Sequence, residues 1–156
     1  MIISLSPSAF DALADGIAPS GYRILPDSPI APEEVLRMLA GLNRLVAMEF
    51  TPSAWMIVED GDIVGLCSLI KTSENGVLHI GYGVAASREG RGIATAAVGE
   101  LLDWARSDPR VSGIAAETAI ENLASQRVLE RNGFSNVGQR TDPEDGPVFR
   151  WEIVTV

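Results

Sequence analysis

The sequence predicts an α/β protein with a mixed, largely antiparallel central sheet, one β-α-β crossover and helices on both faces. Two apolar runs flank Asp60-Gly61, a pair typical of the type I′ turn of a β-hairpin. An amphipathic helix from about Gly92 to Arg106 lies between two strand-like runs, which indicates a parallel crossover. Because short turns join the second to fourth strands, a fully parallel, doubly wound sheet is not expected.

The first half of the chain is predicted to contain two helices and an antiparallel meander. A strand at 2–5 precedes a helix that Ser6 caps and Gly16 ends. A segment rich in Pro, Gly and Ser follows as a loop, and a second helix begins near Pro32 with two glutamates in its first turn. Three elements complete the meander: the hairpin about 60–61, a turn at 74–76 and a strand at 77–84.

The second half of the chain follows the crossover helix with elements that return to the sheet. Asn122 is expected to cap a helix that Gly133 ends, and Phe134 leads back into the core. The other predicted elements are a strand at 111–119 and a closing strand pair at 134–140 and 148–156.

Length and charge bound the class of protein. At 156 residues the chain is expected to form one domain over residues 1–156. It is 46% hydrophobic and 21% charged, as in ordinary globular domains. A net charge of −9 argues against nucleic acid and an anionic membrane surface as partners.

The numbers of cysteine and histidine residues limit the disulfides and metal sites that the chain can form. The chain has 1 Cys and 1 His, so no disulfide can form within it and we expect no metal site. We expect no secretory leader and no membrane span, because the first residues lack a basic segment and no apolar run reaches ~20 residues; a cytoplasmic protein, monomeric or weakly dimeric, is therefore expected. Four residues are interpreted as core residues rather than functional ones: Trp55, Cys67, Trp104 and Trp151.

The segment between the strand at 77–84 and the next helix combines charge with flexibility. A helix start presents unpaired backbone N–H groups, glycines let an anion approach them closely, and arginines add full charges. The alternatives are a tight turn with two solvated arginines, or a dinucleotide site in which Glu117 binds the ribose. The candidate anion-binding residues are Arg88, Gly90, Arg91, Gly92, Ile93, Ala94 and Thr95.

A second motif, N-L-A-S-Q-R-V-L-E-R-N-G-F from Asn122 to Phe134, changes the interpretation. Together with V-A-A-S-R-E-G-R-G-I-A-T, the chain from about Trp55 to Trp151 resembles the GCN5-related N-acetyltransferases, and most closely their RimJ/RimL-like branch. In that family the first motif binds the pyrophosphate of acetyl-CoA. Gly92 and Ala94 match its last two positions, whereas Glu89 stands where Gln or Arg is usual.

The resemblance also implies how the rest of the cofactor is held. The strand end from Tyr82 to Val84 would pair its backbone with the pantetheine arm. Asn122 would contact the same arm, and Ser125 would approach the sulfur. The family's usual tyrosine acid is absent, because Leu129 occupies its position.

Proton transfer has several candidates. Ser125 is the candidate acid for the leaving thiolate, with helix capping as its alternative role. His79 is the candidate base because its ordinary pKa of ~6.5 suits neutral pH, although a lone histidine in a strand is more often a packed, hydrogen-bonded residue. Glu117 and Glu49 are rival bases, and an amine that arrives neutral requires none.

These observations predict an acetyl-CoA-dependent N-acetyltransferase that acts on a primary amine, either a protein N-terminus or a small molecule. A cationic acceptor is favoured by the excess of acidic residues. The alternatives are the same fold with another acyl-CoA such as succinyl-CoA, a non-catalytic acyl-CoA sensor, and a nucleotide-binding module.

Overall fold

A computed structural model describes residues 1–72 and 75–156, and these form eight strands, four α-helices and a short 3₁₀ helix at Ala86–Arg88. The predicted turn at 74–76 therefore begins outside the described residues. The strands are β1 (Ile2–Ser4), β2 (Arg23–Ile24), β3 (Ala54–Glu59), β4 (Asp62–Thr72), β5 (Val77–Val84), β6 (Gly113–Ala119), β7 (Ser135–Asp142) and β8 (Gly146–Val154). The helices are α1 (Pro7–Ala14), α2 (Glu33–Ala47), α3 (Ile93–Ser107) and α4 (Leu123–Arg131).

The strands form one sheet in the order β1-β3-β4-β5-β6-β8-β7, and β2 pairs with β4. Only the β5–β6 and β2–β4 pairs are parallel among the described strands. The predicted mixed sheet and its β-α-β crossover through α3 are confirmed. The expectation of a loop at 18–32 is wrong in one detail, because Arg23 and Ile24 form the short strand β2.

Local turn chemistry explains the β3–β4 hairpin. Asp60 and Gly61 have φ angles of 52° and 83°, which is the left-handed pair that a type I′ turn requires. This turn matches the right-handed twist of the two strands, so the predicted hairpin is confirmed.

The helices cover both faces of the sheet. Successive side chains of β3 point to opposite faces, and each set packs against different helices. Trp55 and Ile57 pack in the core that includes α3 and α4, whereas Ala54, Met56 and Val58 pack in the core that includes α1 and most of the apolar face of α2. The prediction of helices on both faces is therefore confirmed. Within the described residues, no helix has the length and apolar character needed to cross a bilayer.

The feature that positions the site is a gap between β5 and β6. These parallel strands pair from Val77–Gly113 to Ile80–Ala116, and the pairing stops there although both strands continue. The Ala85 N–H donates to Val64 on β4, so by alternation the backbone groups of Tyr82 and Val84 point away from β4 and into the gap. The gap thus leaves strand hydrogen-bonding groups available to a ligand.

Candidate active site

A cavity of about 560 Å³ lies where the gap meets the first turns of α3 and α4. It brings together most of the residues predicted from the two motifs. The residues that line it are Tyr82, Gly83, Val84, Arg88, Glu89, Gly90, Gly92, Ile93, Ala94, Thr95, Asn122, Ala124, Ser125, Arg127, Val128 and Arg131.

The glycine turn opens one end of the cavity. Gly90 and Gly92 both have φ of 76°, a conformation that glycine adopts without strain. Gly92 is the N-cap of α3 and offers no side-chain cap, so the first N–H groups of this helix remain available to an anion. A Cβ built on either glycine would meet no atom within 4 Å, because both face open space.

Arg88 lines the cavity, but its charge is already shared. Its guanidinium donates to Glu59 at 2.7 Å and to Asp62 at 3.4 Å, and its side chain is 21% exposed. Arg23 donates to Asp62 at 3.0 Å, so this network ties the glycine turn to the β3–β4 hairpin. The geometry supports a structural role for Arg88 more directly than the predicted phosphate contact.

Arg91 is exposed and lies outside the cavity lining. Its guanidinium forms no ion pair with any residue that the structure describes. The predicted contact of Arg91 with a phosphate of the cofactor therefore stays a prediction, and it requires a phosphate that extends beyond the cavity.

Two arginines on α4 were missed by the sequence analysis. Arg127 and Arg131 are exposed, line the cavity and form no ion pair within the described part of the chain. Their spacing of four residues puts them on one face of the helix, and this was the signal available in the sequence. Glu89 lines the same cavity and opposes their charge.

The sheet end of the cavity carries two hydroxyl groups. The Tyr82 phenol oxygen lies 2.8 Å from Ser125 Oγ and 3.1 Å from the Ser125 carbonyl oxygen, and its single hydrogen can be donated to either acceptor. Asn122 accepts a hydrogen bond from the Ser125 N–H at 3.1 Å and so caps α4 as predicted. Burial raises the pKa of Tyr82 to about 12, against a smaller lowering by the hydrogen bond with Ser125. The sequence analysis assigned only the backbone of Tyr82 to the site.

Leu129 and Cys67 both lie in the core, and the predicted core position of Cys67 is confirmed. Leu129 is fully buried and packs in the core beside α3, so no hydroxyl replaces the family's tyrosine at this position. Cys67 is also buried, and burial raises the pKa of its thiol to about 12. A thiol in this state is a packing group rather than a nucleophile. Of the predicted tryptophans, Trp55 and Trp151 are buried and Trp104 is partly buried against the same core.

The predicted base candidates lie on the other face of the sheet. Leu78, Ile80 and Ala116 face the core that includes α3 and α4, so by alternation His79 and Glu117 face away from it. Neither lines the cavity. The structure thus separates both residues from Ser125 by the sheet, and only a substrate that enters the gap would meet both faces.

The surroundings of His79 and Glu117 give these two side chains different protonation states. Burial, followed by the charges of Lys71 and Arg150, lowers the pKa of His79 below its usual 6.5. The pKa of Glu117 is lowered chiefly by Arg140, whose guanidinium donates to both oxygens of that carboxylate, one of them at 2.6 Å. His79 is therefore neutral at pH 7 and able to accept a proton, whereas Glu117 is held in an ion pair.

Glu49, the remaining rival base, lies outside this group. It is exposed, and its carboxylate accepts a hydrogen bond from the Thr72 hydroxyl at 3.1 Å. Thr72 pairs with Leu78, toward the end of β5 that lies away from the gap. This placement makes Glu49 the weakest of the three candidates.

Comparison with known proteins places this architecture in a family. The sequence-family model described as "Acetyltransferase (GNAT) domain" matches residues 5–135, which is most of the chain. The chain therefore belongs to the GNAT acetyltransferase family, as the sequence resemblance indicated. The match includes both motifs, the glycine turn and the start of α4.

Individual relatives agree with this assignment. The chain is 36% identical over 84 residues to the uncharacterized N-acetyltransferase YjdG of Bacillus subtilis, covering 52% of this chain and 50% of that protein. It is 34% identical over 87 residues to the putative ribosomal N-acetyltransferase YdaF of the same species, covering 55% and 48%. The chain thus spans about half the length of the curated relatives it matches.

A solved structure extends the likeness to almost the whole fold. RimL, a ribosomal L7/L12 alpha-N-protein acetyltransferase in complex with coenzyme A, superposes with a TM-score of 0.71. The match covers 98% of this chain and 92% of that one, at 20% sequence identity. At this identity the likeness concerns the fold alone.

Proposed function

We propose that the protein is an acetyl-CoA-dependent N-acetyltransferase, of the RimJ/RimL-like branch, whose acceptor is a primary amine. The observation that carries this proposal is the cavity that joins the glycine turn of α3 to the gap in the sheet. One end of this cavity suits phosphates and the other opens between two strands. An elongated ligand with an anionic head and a reactive tail fits this arrangement.

The fit to acetyl-CoA follows from the donor set. The α3 amides at Gly92 and the guanidinium groups of Arg127 and Arg131 would bind the phosphates. The strand amides of Tyr82 and Val84 would bind the amide groups of the pantetheine arm, because in the gap no other described strand pairs with them. The acetyl group would then lie beside Ser125.

The acceptor would approach through the gap from the opposite face. Acetyl transfer to an amine requires a neutral amine at the carbonyl carbon, and His79 is neutral at pH 7 on that face. A protein N-terminus and a small-molecule amine both present such a group. The proposal includes a single transferase domain over 1–156, a cytoplasmic setting and a monomer or weak homodimer.

The decisive experiment measures release of free thiol from acetyl-CoA and from succinyl-CoA with a panel of amines. Amine-dependent release from acetyl-CoA is expected. Binding of CoA without release for any amine would favour the sensor alternative, and faster release from succinyl-CoA would favour the other acyl donor. Stabilisation by NAD or ATP but not by CoA in a thermal unfolding assay would favour the nucleotide alternative. A ligand at 100 times its Kd adds ~2.7 kcal/mol to the free energy of unfolding, so this assay detects the true ligand.

A double variant tests the phosphate end separately. Arg127→Ala/Arg131→Ala should weaken CoA binding about tenfold by calorimetry, because two exposed charge contacts contribute roughly 0.2–1 kcal/mol each. Arg106→Ala is the matched control, since Arg106 is an exposed helix arginine outside the cavity. Equal CoA affinity in the double variant and the control would contradict this placement of the phosphates.

A further inference from the structure

Tyr82 and Ser125 form a hydroxyl pair that comes from two separate elements. Tyr82 lies on β5, within the part of the strand that borders the gap, and Ser125 lies in the first turn of α4. Their hydroxyl oxygens are 2.8 Å apart, and both residues line the cavity at its sheet end. Because Leu129 is apolar and fully buried, these two are the hydroxyl groups that the structure brings to this end of the cavity within its described residues.

The hydrogen bonds around Ser125 allow two arrangements. In the first, the Tyr82 phenol donates to Ser125 Oγ, which leaves the serine hydrogen free to point into the cavity. In the second, the phenol donates to the Ser125 carbonyl at 3.1 Å and accepts the serine hydrogen. The 2.8 Å contact between the two hydroxyl groups is present in both arrangements, so only the direction of this hydrogen bond separates them. The first arrangement alone supplies a donor to a ligand, and the effect of Tyr82→Phe on kcat distinguishes the two.

We propose that Tyr82 is a positioning residue that donates its hydrogen to Ser125 Oγ, so that the Ser125 hydroxyl donates to the sulfur leaving the acetyl group. This inference rests on the proposed N-acetyltransferase function. In the step that it serves, the acceptor nitrogen bonds to the acetyl carbon and the carbon–sulfur bond breaks. The electron pair of that bond goes to sulfur, which leaves as a thiolate, and the nitrogen gives its proton to water. The Ser125 hydroxyl stabilises the thiolate by a hydrogen bond and is not consumed.

Tyr82 suits this role because its phenol remains a donor throughout the working range of pH. Burial raises its pKa to about 12, so the phenol keeps its proton at neutral and mildly alkaline pH. A phenol in this state is a poor source of protons but a constant hydrogen-bond donor. The chain thus supplies from a strand the tyrosine hydroxyl that the family resemblance would place on α4.

The test is a double-mutant cycle on kcat and on the affinity for CoA. Ser125→Ala should lower kcat by ~10² or more, as for loss of a donor to developing charge. Tyr82→Phe should lower kcat about tenfold or more with CoA affinity unchanged, because the serine hydrogen is no longer directed to sulfur. The double variant should match Ser125→Ala, since Tyr82 acts only through Ser125. Thr155→Val, which removes a buried hydroxyl bonded to the Val111 carbonyl, is the control for general loss of a hydrogen bond and should keep kcat unchanged.

Several results would overturn the proposal while leaving the proposed function intact. These are wild-type kcat in Tyr82→Phe, a multiplicative loss in the double variant, or a rise in kcat in Tyr82→Phe. The last result would mean that the phenol accepts the serine hydrogen and withholds it from the ligand. In contrast, absence of thiol release by the wild-type protein with every amine would overturn the proposed function itself.

A second measurement keeps the test informative if Tyr82→Phe does not fold. The chain has 2 tyrosines, so uniform replacement by 3-fluorotyrosine in a Tyr22→Phe background changes Tyr82 alone. Fluorine lowers the pKa of the phenol, so the alkaline limb of kcat that ionisation of this donor causes should lie at lower pH in the fluorinated protein than in the unlabelled Tyr22→Phe protein. An alkaline limb that does not move would overturn the proposal.

Discussion

Gly92 is the residue whose conformation most directly serves the anion end of the cavity. Gly92→Glu should abolish CoA binding, because a carboxylate would project into the open space where a phosphate approaches the α3 amides. Calorimetric titration with CoA measures the effect. Gly16→Glu is the matched control, since Gly16 has φ of 82° and equally open surroundings but lies outside this cavity. CoA affinity in Gly92→Glu equal to that in the control would end the phosphate-cradle interpretation.

His79 gives a prediction that depends on pH. Its folded pKa is lowered by burial and then by Lys71 and Arg150, while Glu117 and Glu152 raise it less. If His79 is the base, the acidic limb of kcat/KM lies below pH 6.5 and disappears in His79→Gln. A limb that persists unchanged in the variant would exclude His79 as the base.

The same lowering of the His79 pKa makes the stability of the fold depend on pH. The unfolded chain binds a proton at His79 as the pH falls through 6.5, whereas the folded chain does not until a lower pH. The unfolded state therefore binds more protons in this window, and stability falls as the pH falls. Thermal unfolding at a series of pH values should show a smaller loss below pH 6.5 in His79→Gln than in the wild type. An equal loss in both proteins would contradict the direction of this shift.

At the scale of elements, α4 links capping to the site through Asn122. The Asn122 side chain accepts from the Ser125 N–H at 3.1 Å, so Asn122→Ala should cost about 0.5–2 kcal/mol in the free energy of unfolding. Asn122→Ser retains a cap and should lose little stability. If the amide also binds the pantetheine arm, both variants should lose CoA affinity in calorimetry. If only Asn122→Ala loses affinity for CoA, Asn122 acts as a helix cap and not as a ligand of the pantetheine arm.

The elements with strong local signals were the predictable ones. The Asp60-Gly61 turn, the Asn122 cap and the apolar stripe of α3 each depend on residues close together in the chain. β2 has no such signal. It holds two residues and exists because the Arg23 N–H donates to the Gly61 carbonyl, 38 positions further along the chain, at 2.8 Å.

The candidate site divides in the same way. The glycine turn and the α4 start were found from motifs, and the Arg127–Arg131 spacing was a readable helical pattern that the sequence analysis passed over. The side-chain role of Tyr82 depends on where α4 lies against β5, a contact across 43 positions that no local pattern encodes. The ion pair of Arg88 with Glu59 likewise joins residues far apart in the chain. The sequence motif showed that an arginine is present at position 88, but not that its charge is paired in the fold.

At the scale of the whole molecule, the net charge and the cavity charge have opposite signs. The chain carries −9, whereas the cavity lining holds two arginines, Arg127 and Arg131, and one acid, Glu89, that form no ion pair within residues 1–72 and 75–156. Distant carboxylates are screened over about 8 Å at physiological salt, so we expect the local arginines to outweigh them in the proposed CoA binding. The opposite face is balanced, and the charged side chains near His79 and Glu117 are Lys71, Arg140, Arg150, Asp142 and Glu152.

Because the charges near His79 and Glu117 balance, we expect the electrostatic field of the whole molecule to determine which acceptors are preferred. A net charge of −9 raises the encounter rate of cationic acceptors and lowers that of anionic ones. Salt screens this field, so kcat/KM for a polyamine or an arginine amide should fall as potassium chloride is raised. With an acidic amino acid as acceptor, kcat/KM should stay level or rise. The ratio of the two values, measured by thiol release at saturating acetyl-CoA, should therefore exceed one at low salt and decline with added salt. A ratio below one at low salt would show that contacts within the gap, rather than the overall charge, select the acceptor.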